Sequence, residues 1–250
     1  MPFMNIFPKL DPKTIALLLD VDGTLIDIKP SPGEVHVSAE LRDLVAGLSR
    51  QTGGALALVS GRPITDLDRL FAPLELPAIG GHGAEMRVRT GEVSLGVTPL
   101  PQDMREHLAG AAKPGMVVED KGYSLALHYR NAPEEKDRLR ASIDEGRAAF
   151  PGEATEVQLG KFMFEVKRPG VSKGEAVRAL MEQAPFAGRQ PVFVGDDVTD
   201  ESVFAILPEM QGIGFSVGRQ FAGLAGIFES PSDFRRALKQ LAARGQGGPA

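Results

Sequence analysis

The residues most able to do chemistry begin at Asp20 and Asp22, which close the apolar run Ile15-Ala-Leu-Leu-Leu19 and are followed at once by Gly23-Thr24. Two carboxylates at the end of a buried segment are costly unless a cation or a strong set of donors neutralises them, so the stretch predicts a metal or phosphate site. Three other segments offer matching groups: Ser60-Gly-Arg62, Ser172-Lys173 and Gly195-Asp-Asp-Val-Thr-Asp-Glu201. Each alone has a plain structural reading. The Asp-Val-Asp-Gly stretch suits a turn, Ser60 before a proline-led helix suits a cap, Lys173 suits a solvated helix face, and an acid-rich helix start is favoured by the dipole. Their combination points further. Carboxylate clusters that face one another repel unless a divalent ion joins them, and oxygen donors with no His or Cys beside them point to Mg2+. Lys173 stands at an expected helix N-terminus, where backbone donors already favour an anion.

For these groups to meet, each must sit where a strand ends, because ligands of open parallel sheets bind outside the carboxyl ends of the strands. The hydrophobic pattern supplies this. Residues 15–19, 55–59 and 76–79 read as buried strands, separated by a helix capped by Ser38 and another led by Pro63. Asp27 to Gly33 reads as a loop. Strand, helix, strand, helix, strand predicts right-handed βαβ units and a parallel sheet. From Met86 the pattern changes. A hairpin around Thr90-Gly91 is followed by a helix over 101–112, strands at 116–119 and 123–129, a charged helix over 133–150, and a strand pair at 155–159 and 162–166. Tyr123, Leu125, Leu127 and Tyr129 share one face, which predicts a half-buried strand with a solvated side. Ser172-Lys-Gly-Glu175 is a capping box that starts a helix. A buried strand at 191–194, a helix over 202–207, strands at 212–217 and 226–228, and a helix over 233–244 complete the pattern, with 245–250 read as a disordered tail. The fold expected is α/β: a doubly wound, Rossmann-like parallel-sheet core formed by residues 1–97 and 168–250, with an α+β insertion over 98–167.

These motifs, in this order, resemble those of the haloacid-dehalogenase superfamily of phosphotransferases, whose first motif is Asp-x-Asp-Gly-Thr. The resemblance runs over the whole chain. It implies that Asp20 is the nucleophile that takes the phosphoryl group as an aspartyl-phosphate, and that Asp22 is the acid for the leaving alcohol and then the base for water. Ser60 and Lys173 would hold the transferring group. Mg2+ would be held by Asp20, the carbonyl of Asp22 and Asp196, supported by Asp197 or Asp200. The inserted module is similar to the superfamily's larger cap, the C2 type, whose task is to exclude water and select the substrate. Within the superfamily, Ser60-Gly-Arg-Pro63, Gly81-His-Gly-Ala-Glu85, Glu119-Asp-Lys121, Phe164-Glu-Val-Lys-Arg-Pro169 and Gly195 to Glu201 look like the trehalose-6-phosphate phosphatases. That resemblance implies that Glu119, Lys121 and Glu165 grip sugar hydroxyls, that Thr24, Arg62 and His82 belong with Ser60 among the substrate contacts, and that trehalose 6-phosphate is hydrolysed to trehalose and phosphate. From the residues alone, Glu119 and Lys121 read as a solvated hairpin turn, and His36, His107 and His128 as surface or strand residues.

Composition bounds the alternatives. Hydrophobic residues make up 42% and charged residues 24%, an ordinary soluble balance, and the net charge of -5 offers no basic excess for nucleic acid. With no cysteine in the chain, disulfide and thiolate chemistry are excluded. No apolar run is long enough to span a bilayer, and the N-terminal stretch is too short and proline-punctuated for a signal peptide. A cytoplasmic protein acting on a small sugar phosphate, without nucleic-acid or membrane partners, is expected. Gly212-Ile-Gly-Phe-Ser-Val-Gly218 misses the dinucleotide-binding spacing by one residue. Two other readings stay open: a phosphatase or phosphomutase acting on another sugar phosphate, and a non-catalytic sugar-phosphate-binding regulator. Asp22 and Lys173 together count against the second.

Overall fold

The run Ile15–Leu19 forms a strand buried along its whole length, as an uninterrupted Ala/Leu segment requires when both sheet faces are covered. The computed structural model describes residues 6–28, 35–89, 91–160 and 162–246. Most of the loop expected after Asp27, Thr90 of the expected hairpin turn and the tail beyond residue 246 lie outside the described residues. In chain order the elements are β1 (Ile15–Leu19), α1 (Ala39–Gln51), β2 (Leu56–Val59), α2 (Ile64–Phe71), β3 (Ala78–Gly80), β4 (Glu85–Arg87), β5 (Ser94–Leu95), α3 (Gln102–Ala109), β6 (Val117–Asp120), β7 (Ser124–His128), α4 (Lys136–Ala148), β8 (Glu156–Gly160), β9 (Met163–Lys167), α5 (Lys173–Met181), β10 (Gln190–Gly195), α6 (Glu201–Ile206), β11 (Ile213–Val217), β12 (Gly226–Phe228) and α7 (Pro231–Gln246). The chain divides into two compact units, Met1–Ser94 with Ser172–Ala250, and Leu95–Val171.

An eight-stranded sheet runs β12-β11-β10-β1-β2-β3-β4-β5. The strands from β12 to β3 pair in parallel, and β4 returns antiparallel along β3. Because alternate side chains of a strand face opposite ways, β1 serves two cores. Leu17 and Leu19 pack with Leu41, Val45 and Leu48 of α1, Leu67 of α2 and Phe234 and Leu238 of α7. Ala16 and Leu18 pack with Val177 and Leu180 of α5 and Val203 of α6 on the other face. Each such leucine contributes about 1.5–3 kcal/mol by leaving water. Phe7 closes one end edge-on against Phe215, Phe228 and Phe234. The last helix extends to Gln246, so residues 245 and 246, expected in the tail, are helical instead.

Register brings the polar clusters together. Leu19 of β1 lies opposite Val194 of β10 and Leu58 of β2. Asp20, Ser60 and Asp196 therefore follow on adjacent strands at the same sheet edge. The backbone N–H of Asp20 donates to the Val194 carbonyl at 2.9 Å, and that of Ser60 to Ile79 at 2.8 Å, which fixes the points where the strands end.

The inserted unit carries a four-stranded antiparallel sheet in the order β6-β7-β9-β8. Leu125, Leu127, Phe164 and Val166 on one face pack with Met104 and Leu108 of α3 and Leu139 and Ile143 of α4. The solvated opposite face expected for β7 is corrected: Ser124 and Ala126 are buried too. As an inner strand, β7 places its small Ala126 between Glu119 and Glu165 in register, and Ser124 Oγ donates to Glu165 Oε1 at 2.7 Å.

Candidate active site

Asp20 is placed by β1, and its burial would be prohibitive without a counter-charge. Lys173, the first residue of α5, supplies one. Its Nζ donates to Asp20 Oδ1 and to Asp200 Oδ1, at 2.7 Å each, and the three side chains are 5%, 3% and 0% exposed for Asp20, Lys173 and Asp200 respectively. Ser172 caps α5 by accepting the Glu175 N–H at 3.2 Å, as the capping-box pattern predicts. Gly174 brings the start of α5 against Ser202, with its N–H donating to Ser202 Oγ at 3.2 Å. Asp200 is held in turn: its Oδ2 accepts the backbone N–H groups of Asp196 at 2.9 Å and Asp197 at 3.0 Å.

Asp196 completes the cluster. One oxygen from each of Asp20, Asp196 and Asp200 lies within 4.8 Å of the others, a geometry able to hold a metal ion. Thr24 is fully buried, and its hydroxyl donates to Asp196 Oδ1 at 3.0 Å. Asp197 does not join the group; exposed, it caps the short helix 198–200 by accepting the Val198 N–H at 2.7 Å. Burial pushes the Asp20 carboxyl well above the ordinary carboxylate range, against the pull of Lys173 and with a push from Asp200 and Asp196. Burial raises Asp196 as well, although hydrogen bonds from Asp20 and Thr24 oppose it. For Lys173 burial acts to release the proton, yet Asp20 and Asp200 outweigh it and hold the ammonium above its usual range. Three acids around one lysine leave the cluster short of positive charge.

Asp22 faces elsewhere. Its two oxygens take the Nε and Nη2 of Arg62, at 2.6 Å each. Ser60 is buried and accepts the Arg62 N–H at 3.1 Å. His82 adopts a left-handed conformation, φ 55°, and its N–H donates to the Ser60 carbonyl at 3.1 Å. Its ring lies where a β-carbon on residue 61 would stand, so a side chain at that position would displace the His82 ring. In the inserted unit, Lys121 Nζ is 3.3 Å from Glu165 Oε1 and 4.0 Å from Glu119 Oε1. Glu119 also approaches His128 Nε2, at 3.4 Å.

For two further contributors the partner could not be read from sequence. Glu85 accepts the N–H of Ile64 at 2.6 Å and so anchors the start of α2, just after the Ser60-Gly-Arg-Pro turn. Arg235 donates to the Leu25 carbonyl at 3.0 Å, tying α7 to the loop that holds Asp22. Their partners lie far away in the chain, and only the fold makes them neighbours.

The doubly wound sheet with an inserted α+β unit is the architecture of the haloacid-dehalogenase type of phosphatase. A solved structure described as a trehalose-6-phosphate phosphatase related protein matches with a TM-score of 0.72 at 25% identity, over 92% of this chain and 98% of that one. The C-terminal domain of C. albicans trehalose-6-phosphate phosphatase shares the fold, with a TM-score of 0.74 at 20% identity over 95% of this chain and 96% of that one. In sequence, the trehalose-6-phosphate phosphatase of Escherichia coli (strain K12) is 41% identical over 215 residues, covering 84% of this chain and 80% of that protein. A probable trehalose-phosphate phosphatase of Sinorhizobium fredii (strain NBRC 101917 / NGR234) is 38% identical over 220 residues, 87% of this chain and 83% of that protein. The family profile described as Trehalose-phosphatase matches residues 18–223. The chain belongs to the trehalose-phosphatase family. No helix among the described residues is long and apolar enough to cross a membrane.

Proposed function

We propose that this chain hydrolyses trehalose 6-phosphate to trehalose and inorganic phosphate through an aspartyl-phosphate on Asp20. The observation that carries the chemistry is the buried contact of Asp20 with Lys173 inside a cluster of excess negative charge. Lys173 fixes the rotation of the nucleophilic carboxylate and, with Ser60, holds the phosphoryl oxygens as charge develops. An Asp20 oxygen attacks phosphorus and the bond from phosphorus to the sugar oxygen breaks, that oxygen leaving with a proton from Asp22. Water then attacks the aspartyl-phosphate and gives a proton to Asp22; phosphate departs and Asp20 is restored.

Hard oxygen donors carrying a charge excess fit Mg2+. Asp20, Asp196 and the carbonyl of Asp22 would hold the ion, with Asp200 bracing Lys173 and the Asp196 backbone. When bound, it would supply charge neutralisation that lets a phosphate dianion approach an anionic nucleophile. The substrate assignment is supported by the trehalose-phosphatase relatives and by Glu119, Lys121 and Glu165, charged groups suited to sugar hydroxyls. We infer that these three set substrate preference, while Thr24, fully buried, steadies Asp196.

Phosphate release from a panel of sugar phosphates, with Mg2+ and with EDTA, tests the reading. Trehalose 6-phosphate should give the highest kcat/KM, and EDTA should stop turnover. A better substrate elsewhere in the panel would overturn the substrate assignment, and isomerisation without phosphate release would indicate a mutase.

A further inference from the structure

Asp22 must hand a proton to the leaving sugar oxygen, yet in this structure both its oxygens are engaged by one guanidinium. Arg62 Nε meets Oδ2 and Nη2 meets Oδ1, at 2.6 Å each, the two-pronged geometry that most strongly fixes a carboxylate in space. The Asp22 side chain is 35% exposed, whereas that of Arg62 is only 12% exposed. The arginine is the mounted partner. Its N–H donates to Ser60 Oγ at 3.1 Å, its carbonyl accepts the Gly81 N–H at 2.9 Å, and α2 begins two residues later under the Glu85 carboxylate. Asp22, by contrast, sits in a turn where the Val21 carbonyl takes the N–H groups of Leu25 and Ile26, at 3.0 Å each, and among the described residues it is Arg62 that orients its side chain.

We propose that Arg62 is a positioning residue for proton transfer: it aims the Asp22 carboxyl at the ester oxygen and surrenders one of its two prongs when the leaving group arrives. This rests on the reading of Asp22 as acid and base. It assigns Arg62 to the leaving-group side of the reaction, although it neighbours Ser60 on the phosphate-binding turn. The role is conformational. A carboxyl at the end of a rotatable side chain loses most of its value as a catalyst when its direction is unset, since general acid catalysis requires hydrogen-bond reach of the departing atom.

The test compares two leaving groups in a single turnover. Trehalose leaves as an alkoxide that needs a proton; p-nitrophenolate leaves without one. In Arg62→Ala, trehalose release in the first turnover should slow by about 10²-fold, of the order general acid catalysis supplies, and at least about tenfold more than p-nitrophenolate release. Arg62→Lys, which keeps one donor but not the fork, should fall between, and it serves should the alanine variant fail to fold. In Asp22→Asn, adding Arg62→Ala should cost nothing more, because a residue acting through Asp22 is silent once Asp22 is gone. Equal slowing of both leaving groups, a raised KM with unchanged trehalose release, or full additivity on Asp22→Asn would each overturn the assignment. If Asp22→Asn itself slows both leaving groups alike, it is the acid and base reading of Asp22 that fails.

Discussion

Lys173 and Asp200 meet at 2.7 Å with side chains 3% and 0% exposed, and the same ammonium reaches Asp20 at 2.7 Å. Removing one partner of a buried ion pair is far more damaging than never having had it, because the remaining charge is stranded. Lys173→Met should therefore destabilise the protein by about 3–5 kcal/mol, besides abolishing turnover. Urea unfolding with and without Mg2+ measures this, and added Mg2+ should recover part of the loss. A variant as stable as the parent without metal would show that the lysine is not what balances the acids.

Stability should also depend on pH with a definite sign. Asp20 and Asp196 are held above the ordinary carboxylate range, chiefly by burial. Between their ordinary and raised values the native state binds more protons than the unfolded chain, so without divalent ions stability falls as pH rises through that window. Lys173, raised in turn, contributes stability that is complete below the ordinary lysine range and is lost only at still higher pH, so it does not act in this window. Urea midpoints followed upward from about pH 4 should decline in EDTA and flatten in Mg2+. Asp20→Asn should reduce the decline. Midpoints that climb with pH in EDTA would contradict the charge excess.

A glycine is required where Asp22 turns toward Thr24. Gly23 has φ +81°, and a β-carbon there would collide with the Asp196 carboxylate. Gly23→Ala should cost about 1–3 kcal/mol in backbone strain and displace Asp196, so that the Mg2+ concentration for half-maximal activity rises. Calorimetry and a Mg2+ titration of turnover separate the two effects, and an unmoved Mg2+ requirement would show that the collision is relieved elsewhere.

In the inserted unit, Glu165 is buried and accepts Ser124 Oγ at 2.7 Å, with Lys121 Nζ at 3.3 Å. Hydrogen bonds to charged groups are worth about 1.5–3 kcal/mol. Glu165→Gln or Lys121→Met should therefore lower kcat/KM for trehalose 6-phosphate by about 10- to 10²-fold. The loss should be at least about tenfold greater than for p-nitrophenyl phosphate, which has no hydroxyls to grip. Equal losses on both substrates would place these residues outside sugar recognition.

The sequence exposed the core through its strongest regularities. The Ala/Leu run before Asp20 is legible because parallel strands are apolar on both faces, and Ser172 to Glu175 because a capping box is local. What stayed hidden depends on distance along the chain. The Arg62–Asp22 fork and the Glu85 anchor join side chains to partners far away in sequence, and nothing in residue type alone selects them. The buried second face of β7 was hidden for a related reason: Ala126 reads as solvated until Glu119 and Glu165 are seen to flank it. Asp197 and Asp200 stand equal as letters. Only the turn geometry, with two backbone amides pointing at Asp200, separates one from the other.

The placement of β1 between β2 and β10 bears on how the protein is made. β2 emerges soon after β1 during synthesis, but β10 pairs Gln190 with Ile15 only after the whole inserted unit has been translated. Until then one edge of the strand bearing Asp20 has its backbone groups unpaired, the condition under which nascent chains mispair. Such long-range parallel pairing is also slow to form. The lysine and the remaining acids arrive with that same late segment. A nascent chain therefore carries Asp20, the proposed nucleophile, early and gains its counter-charge only with the second passage through the sheet.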